Sequence, residues 1–296
     1  MNFTVPSAVA SSPALSVALR GVTRAFGGNS RGAGERVVLN NITLEIAPGE
    51  IVSLIGPSGC GKSTLLRQIS GLDHPDVGEV TIDGTPVTGI DQRCAVAFQE
   101  PRLLPWRTLE KNIQLGVPRE FARAAGAVRV RELLELVQLS AARTLRPRQV
   151  SGGMAQRASL ARAFARAPGV LVLDEPFGAL DALTRLTMQE LLLDIHAIEP
   201  ATIVLVTHDV DEALFLSDRI VLLGEVAGSS PGSGAGIKSV LTVPGLRPRD
   251  RSDAELARLR GELLEGLGVP AHRHSPPPTI SRSTVTVRSE NQRIPA

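Results

Sequence analysis

Short apolar runs alternate along the chain with turns rich in glycine and proline. Runs of this kind, without polar alternation, are typical of strands buried on both faces of a sheet. They predict strands at residues 15–20, 22–26, 42–46, 51–55, 78–84, 94–98, 170–175, 202–207 and 237–243. A helical period predicts helices at residues 62–69, 108–139, 151–167, 182–198 and 253–267. Strands and helices in this order indicate an α/β fold.

Composition and charge narrow the classes of function. The chain has 296 residues, of which 43% are hydrophobic and 21% charged, as in a globular protein. Its formal net charge is only +2, so charge gives no reason to expect a nucleic-acid partner. Its two cysteines provide no disulfide framework, and no apolar run approaches the ~18 residues of a membrane span. Because the N-terminal residues also lack a basic signal-peptide start, we expect a protein of the reducing cytosol.

The most informative stretch is a glycine-rich turn between an apolar strand and a helix start. This context, with Gly-Lys-Ser at its end, is what a phosphate-binding P-loop requires. Its backbone N–H groups and the positive end of the helix dipole face the phosphates. The turn consists of Gly56, Pro57, Ser58, Gly59, Cys60, Gly61, Lys62, Ser63 and Thr64. We assign Lys62 to the β- and γ-phosphates and Ser63 to Mg²⁺, and predict that the chain binds a nucleoside triphosphate.

Polar side chains follow three of the predicted buried strands, where ligands bind in open α/β sheets. One strand ends in Asp174 and Glu175, a Walker B pattern in which Asp174 holds the Mg²⁺ shell and Glu175 is the general base for water. Gln99 follows another strand; its amide either coordinates Mg²⁺, or positions a water, or is an ordinary structural residue. His208 follows a third strand. Most lone histidines are structural, but its place at this edge favours a γ-phosphate contact.

A second glycine-rich turn opens the predicted helix at 151–167. Ser151 is a suitable N-cap, and Gly152 and Gly153 leave backbone N–H groups facing outward at a helix N-terminus. The turn is either an ordinary cap or a second anion site. As an anion site, its most economical use is to contact the γ-phosphate that a different subunit binds.

Two further apolar features have candidate binding roles. Leu103, Leu104 and Trp106 are interleaved with prolines, which interrupt regular structure, so we expect them on an exposed and constrained loop. Such a loop favours a docking surface over a core element. Phe26 stands beside a glycine-rich loop and either stacks on an adenine face or belongs to the core.

Taken together, these motifs resemble the ATP-binding-cassette (ABC) ATPase family over residues 15–223. Walker A, the Q-loop, the signature turn, Walker B, the D-loop and the switch histidine follow in the family's order, at residues 56–64, 99, 151–156, 170–175, 179–181 and 208. The resemblance implies an α/β P-loop NTPase of the ABC type, with a mixed central sheet (a RecA-like core and an antiparallel β subdomain). It also implies a helical subdomain at about residues 100–165.

The same resemblance implies a head-to-tail dimer of two copies. ATP and Mg²⁺ would lie between Walker A of one copy and the signature turn of the other, with Asp181 of the D-loop among the nucleotide-site residues and Phe26 packed against adenine. Val150 and Met154 depart from the usual Leu and Gln of the signature. Because Ser151 and the following glycines are intact, the phosphate contact is still expected.

A finer resemblance concerns the segments at 98–106, 151–154 and 174–181, which are similar to the ATPases of nitrate, sulfonate and taurine importers. It implies a peripheral ATPase at the cytoplasmic face of the inner membrane, coupling ATP hydrolysis to import of a small solute such as an aliphatic sulfonate, taurine or nitrate. It implies a membrane permease contacted through Leu103 to Trp106 and, indirectly, a solute-binding protein. Alternatives are an ATPase for a pyrimidine precursor or other solute, an exporter, and a soluble ABC ATPase.

We expect four segments along the chain. They are a disordered N-terminus at 1–13, the ATPase domain at 14–245, a C-terminal helix at 246–268 and a disordered tail at 269–296, where proline, serine, threonine and arginine are frequent.

Overall fold

The computed structural model describes residues 13–27, 36–119, 121–226, 228 and 232–269. Of the two ends expected to be disordered, only Pro13 and Val269 lie within these ranges. Among the helices of the described residues, none combines the length and the apolar character that a membrane span requires.

The described residues form ten strands and seven α-helices. The strands are Val17–Phe26 (β1), Arg36–Ile46 (β2), Ile51–Ile55 (β3), Val77–Ile82 (β4), Thr85–Pro86 (β5), Cys94–Ala97 (β6), Val170–Asp174 (β7), Thr202–Val206 (β8), Arg219–Gly224 (β9) and Gly236–Thr242 (β10). The helices are Lys62–Ile69 (α1), Leu109–Gln114 (α2), Arg123–Leu136 (α3), Gly152–Phe164 (α4), Ala182–Ile198 (α5), Val210–Leu216 (α6) and Ala254–Gly266 (α7). Short 3₁₀ turns lie at Ser140–Ala142 and Pro147–Gln149.

Two sheets organise these elements. The central sheet has six strands in the order β10-β9-β3-β8-β7-β6, all parallel except β10, which pairs antiparallel with β9. The second sheet is antiparallel, in the order β2-β1-β4-β5. A mixed central sheet with an added antiparallel sheet confirms the architecture predicted from the sequence.

Both faces of the central sheet are buried, which explains its continuous apolar runs. Successive side chains of a strand point to opposite faces. Val170 and Val172 of β7 therefore pack in one core with α1 and the antiparallel sheet, while Leu171 and Leu173 pack in another with α2 to α5. A third core joins β9 and β10 to α6 and α7.

The helical pattern at 108–139 forms two separate helices, α2 and α3. A Cβ on Gly116 would lie 2.0 Å from the backbone carbonyl oxygen of Arg162, so the chain passes tightly against α4 directly after α2. Pro118 follows and has no N–H to donate to a continuing helix. From α2 to α4, the regular elements of the described residues are nevertheless all helices or 3₁₀ turns.

Smaller differences occur elsewhere. The strands predicted at 15–20 and 22–26 form one strand, β1, and its pairing with β2 shifts between Leu19 and Val22. Gly21 between them has a φ of 61°, a conformation that glycine adopts readily and that forms the irregularity. The elements α6 and β9 were not predicted. In the C-terminal unit expected at 246–268, only Ala254–Gly266 is helical.

Candidate active site

The carboxyl ends of neighbouring parallel strands bring the predicted site residues to one edge of the central sheet. Gly56 follows β3, Glu175 follows β7, His208 follows shortly after β8, and Gln99 follows shortly after β6. These four strands are adjacent in the order β3-β8-β7-β6. Ligands bind at this edge in open α/β sheets.

The P-loop between β3 and α1 depends on close backbone contacts. A Cβ on Gly56 would lie 2.4 Å from the backbone carbonyl oxygen of Leu223, so only glycine lets the loop leave β3 against β9. Gly61 precedes α1 with a φ of 97°, and α1 has no side-chain N-cap. Its first backbone N–H groups are therefore suited to an anion. Pro57, Ser58 and Gly59 are exposed at the tip of the loop, whereas Cys60, Ser63 and Thr64 are half-buried.

Lys62 lies inside the curl of this loop. Its Nζ donates to the carbonyl oxygens of Gly56 at 2.8 Å and Pro57 at 2.9 Å. The residue is only 9% exposed. The ammonium charge is thus concentrated beside the N-terminus of α1, where two sources of positive potential add.

Ser63 and Asp174 join α1 to the end of β7. The Ser63 hydroxyl donates to Asp174 Oδ1 at 3.1 Å. Burial raises the pKa of Asp174, the Ser63 hydrogen bond opposes this rise, and the Glu175 carboxylate adds to it. A cation beside Asp174 would favour its charged form.

A hydroxyl and one carboxylate form a donor set that fits Mg²⁺. This ion is held by one or two protein oxygens together with phosphate and water, not by a full protein cage. The described residues contain no cluster of three or more His, Cys, Asp and Glu side chains that could hold a metal.

Glu175 lies close to His208 and, together with Gln99, beside Gly178. His208 Nδ1 lies 3.4 Å from Glu175 Oε2. A Cβ on Gly178 would lie 3.5 Å from Gln99 Nε2 and 3.6 Å from Glu175 Oε2. The amide, the carboxylate and the imidazole therefore surround one small region, as positioning of an attacking water requires.

The backbone of Glu175 is unusual. Its φ is 47°, in the left-handed region that costs a residue with a Cβ about 1–2 kcal/mol. Its N–H still donates to the carbonyl oxygen of Val206 at 2.9 Å. The chain therefore turns out of β7 immediately after Asp174. The Asp174 carboxylate contacts Ser63, and the Glu175 carboxylate contacts His208. Nothing in the sequence signals this conformation.

The second glycine-rich turn caps α4. Ser151 Oγ accepts a hydrogen bond from Met154 N at 3.3 Å. Gly152 is exposed, and a Cβ on it would meet nothing within 4 Å. A Cβ on Gly153 would lie 2.7 Å from Thr184 Cγ2, so the turn packs against the start of α5. The hydrogen bonds found among the described residues do not join this turn to the P-loop.

Asp181 and Phe26 have simpler surroundings. Asp181 caps α5 by accepting hydrogen bonds from the hydroxyl of Thr184 at 2.6 Å and from its N–H at 3.1 Å, and these bonds lower the pKa of Asp181. Phe26 is 43% exposed, and the Arg24 guanidinium lies 4.6 Å from its ring centroid. Phe26 is therefore not a core residue, and its contact with adenine stays a prediction.

The loop around Trp106 is partly as predicted. Trp106 is 68% exposed, whereas Leu103 packs against the apolar core of the helical segment, so the expectation that Leu103 is exposed is wrong. The loop is held by fully buried Asn112, for which the sequence pattern predicts no role. Asn112 Oδ1 accepts from Leu104 N at 2.7 Å, and its Nδ2 donates to the carbonyl oxygens of Leu104, Arg107 and Thr108.

Side chains of α4 hold the chain on the other side of this loop. Gln156 Nε2 donates to the carbonyl oxygen of Phe98 at 3.3 Å. Arg162 donates to the carbonyl oxygens of Pro101 and Arg102, both at 2.8 Å. The helix that begins at the second glycine-rich turn is therefore bonded to the segment that carries Gln99 and leads to Trp106.

Comparison with known proteins agrees with this geometry. The profile of the ABC transporter family matches residues 39–178. The chain is 48% identical over 238 residues to the aliphatic sulfonates import ATP-binding protein SsuB 1 of Xanthomonas axonopodis pv. citri (strain 306), which covers 79% of the chain and 92% of that protein. It is 43% identical over 267 residues to the protein of the same name from Streptomyces avermitilis, covering 90% and 92%.

Solved structures agree as well. A dimeric structure of the ATP-binding cassette MJ0796 in a post-hydrolysis state with ADP and Pi has a TM-score of 0.64 and 31% identity, covering 78% of this chain and 100% of that one. The structure of cbiO1 from Clostridium perfringens, at 23% identity and a TM-score of 0.62, shares the fold. The 48% identity covers 92% of the SsuB 1 protein, and the chain also has the P-loop and the two carboxylates at the end of β7. This chain therefore belongs to the ABC transporter family, as one of its ATP-hydrolysing ATP-binding subunits.

Proposed function

We propose that this chain hydrolyses ATP to drive the import of an aliphatic sulfonate. The observation that carries the proposal is 48% identity across 92% of the ATP-binding protein of an aliphatic sulfonate importer. In such a system the ATPase acts from the cytoplasmic face of the membrane, while a permease and a solute-binding protein recognise the solute. Taurine, nitrate or another small oxyanion is the second candidate solute, because residues 98–106 resemble importers of these compounds as well.

The chemistry follows from the residues at the sheet edge. Lys62 and the N-terminus of α1 bind the β- and γ-phosphates. Ser63 and Asp174 would hold Mg²⁺, which neutralises charge on the phosphates. Glu175 accepts a proton from water as the water oxygen bonds to the γ-phosphorus. The bond from that phosphorus to the leaving ADP oxygen breaks, giving ADP and inorganic phosphate. His208 contacts the γ-phosphate and Gln99 orients the water.

A second copy of the chain completes the site. The turn at Ser151 caps a helix, and Gly152 presents open backbone at that helix start. In a head-to-tail pair this turn would bind the γ-phosphate held by the P-loop of the other copy. The dimeric form of MJ0796 supports this arrangement.

Nucleotide-driven closure would reach the membrane partner through α4. This helix carries the Ser151 turn at its start, and its Arg162 is bonded to the carbonyl oxygens of Pro101 and Arg102. Asn112 holds the next part of the chain, up to Thr108. We therefore expect the loop around Trp106 to move with the helical segment when γ-phosphate engages the turn.

The surface around Trp106 suits an acidic segment of the permease. A groove of about 560 Å³ is lined by Pro105, Trp106, Arg146, Arg148 and Gln149. Neither arginine makes a salt bridge among the described residues. A groove that is lined by an exposed indole and two guanidinium groups fits a helix that presents an apolar side chain and carboxylates.

Growth complementation and enzymology test the proposal together. In a strain that lacks this gene, the wild-type chain should restore growth on an aliphatic sulfonate as the sulfur source, and Glu175→Gln should not. The purified Glu175→Gln variant should keep its ATP affinity but hydrolyse ATP at least about a hundredfold more slowly. Glu79→Gln, at an exposed carboxylate paired with Arg20, is the matched control and should behave as wild type.

Two results would contradict the proposal. Near-normal turnover in Glu175→Gln would remove the assignment of the general base. Uptake of taurine or nitrate, but of no other sulfonate, would transfer the solute assignment to the second candidate while leaving the ATPase assignment in place.

A further inference from the structure

Arg185, in the first turns of α5, bonds to two separate segments of the active site. Its Nη1 donates to Asp209 Oδ2 at 2.9 Å, and its Nη2 donates to the carbonyl oxygen of Leu180 at 3.2 Å. Leu180 precedes α5, whereas Asp209 lies on the turn between β8 and α6. One rigid guanidinium therefore fixes the distance between two loops that are remote in sequence.

The Leu180 side of this bridge leads back to Glu175. The N–H of Gly178 donates to the carbonyl oxygen of Glu175 at 3.2 Å, and the N–H of Leu180 donates to that of Phe177 at 3.1 Å. These consecutive turns make residues 175–180 one compact unit. Holding the Leu180 carbonyl therefore restrains the backbone that carries the Glu175 carboxylate.

The Asp209 side leads to His208. Asp209 Oδ1 accepts from the N–H groups of Asp211 at 2.9 Å and Glu212 at 3.1 Å, so Asp209 caps α6. The N–H of Asp209 donates to Thr207 Oγ1 at 3.0 Å. His208 lies between the two anchored residues, and its Nδ1 faces Glu175 Oε2 at 3.4 Å.

We infer that Arg185 is a positioning residue that sets His208 against Glu175 and thereby controls ATP hydrolysis, while leaving ATP binding unaffected. The inference rests on the roles proposed above for Glu175 and His208. Arg185 touches neither the P-loop nor the Ser63–Asp174 pair among the contacts described. Its removal should therefore lower kcat and not ATP affinity.

A purely structural role for Arg185 predicts that its replacement lowers the stability of the fold. The side chains of Arg185 and Asp209 are 29% and 28% exposed, so breaking their ion pair should cost less stability than breaking a fully buried pair. Loss of the bridge should change the relative placement of two loops more than the stability of the fold. Displacement of reacting groups by about 1 Å is enough to cost up to about a hundredfold in rate.

The chain offers a closely matched control in Arg93. Its side chain is 30% exposed, pairs with Asp91 at 2.6 Å and donates to the carbonyl oxygen of Ile82 at 2.7 Å. Its exposure is close to that of Arg185, and it too bonds one carboxylate and one carbonyl, with two of its nitrogens on Asp91. Because Arg93 precedes β6, it lies at the amino end of that strand, away from the active site.

The experiment compares Arg185→Gln, Arg185→Lys, Asp209→Asn and the Arg185→Gln/Asp209→Asn double variant with Arg93→Gln. For each, kcat for ATP, the Kd of ATP and the Tm are measured. Arg185→Gln should lower kcat about tenfold or more with Kd unchanged. Arg185→Lys, which can keep the Asp209 pair, should recover part of that loss, and the double variant should be no worse than Arg185→Gln because both changes break one bridge. Arg93→Gln should keep kcat.

Specific outcomes overturn the inference. They are a kcat within twofold of wild type in Arg185→Gln, an equal fall in Arg93→Gln, a loss confined to ATP affinity, or strictly additive losses in the double variant. If Arg185→Gln fails to fold, the Arg185→Lys and Asp209→Asn variants carry the same test. Glu175→Gln separates this failure from that of the proposed function: if Glu175→Gln is inactive while Arg185→Gln is normal, only the role of Arg185 is refuted.

Discussion

Replacing Gly152 by alanine separates the stability of the single chain from the ATP hydrolysis that requires a second copy. Gly152 is the first residue of α4, it is exposed, and a Cβ on it would meet nothing within 4 Å. It is also absent from the residues with positive φ. Alanine therefore fits the monomer without strain.

The structure gives the direction of the change in stability and of the change in the rate of ATP hydrolysis. Alanine is favoured over glycine in a helix by about 0.5–1 kcal/mol, so Gly152→Ala should leave the free energy of unfolding unchanged or raise it by up to that amount. If the γ-phosphate of a second copy approaches this backbone, the methyl group blocks the approach. Loss of such preorganised donors costs a rate factor of about a hundred or more.

Gly153→Ala is the contrasting variant. Its Cβ would lie 2.7 Å from Thr184 Cγ2 within the same chain, so this variant should be less stable even as a monomer. The assays are urea unfolding for stability and steady-state ATP hydrolysis for activity. A stable Gly152→Ala variant that hydrolyses ATP at the wild-type rate would refute the idea that a second copy contacts Gly152.

Two further predictions concern buried charge. Arg129 of α3 forms a buried bidentate pair with Glu199 and also donates to the carbonyl oxygen of Phe164. Glu199→Gln should therefore lower the free energy of unfolding, measured by urea titration, by about 3 kcal/mol. An effect no larger than that of Glu79→Gln would contradict this prediction. Burial raises the pKa of Glu212 above its usual 4.5. The folded state then binds the proton more tightly than the unfolded chain. The free energy of unfolding therefore falls as pH rises from 4.5 through the raised pKa of the folded state. Glu212→Gln should remove that fall, and equal pH slopes in the two proteins would refute the assignment.

Local motifs were the most predictable part of the molecule. The helix predicted at 182–198 matches α5, because Asp181 caps it and its apolar period is regular. The P-loop was recognisable because its glycines, Lys62 and the flanking strand and helix lie within one short stretch. Each of these signals needs no knowledge of distant residues.

Features that depend on distant contacts were not predictable. The break between α2 and α3 follows from the approach of Gly116 to the backbone of Arg162, which a helical period does not record. The buried position of Asn112 and the bridge made by Arg185 depend likewise on where separate loops meet. The left-handed backbone of Glu175 occurs where the chain leaves β7, and the Glu175 N–H there donates to Val206, a residue distant in sequence.

The two anion-binding turns of the candidate site are held by different parts of the chain. The P-loop is fixed to the central sheet, because Gly56 lies against the backbone of Leu223. The Ser151 turn belongs to α4, whose Arg162 holds the chain that leads to Trp106. A γ-phosphate that is bound by the P-loop of one copy and by the Ser151 turn of another would therefore displace the helical segment relative to the sheet edge. If the role proposed for the Ser151 turn holds, nucleotide binding would thereby displace the Trp106 loop, and hydrolysis, by removing the γ-phosphate, would let it return.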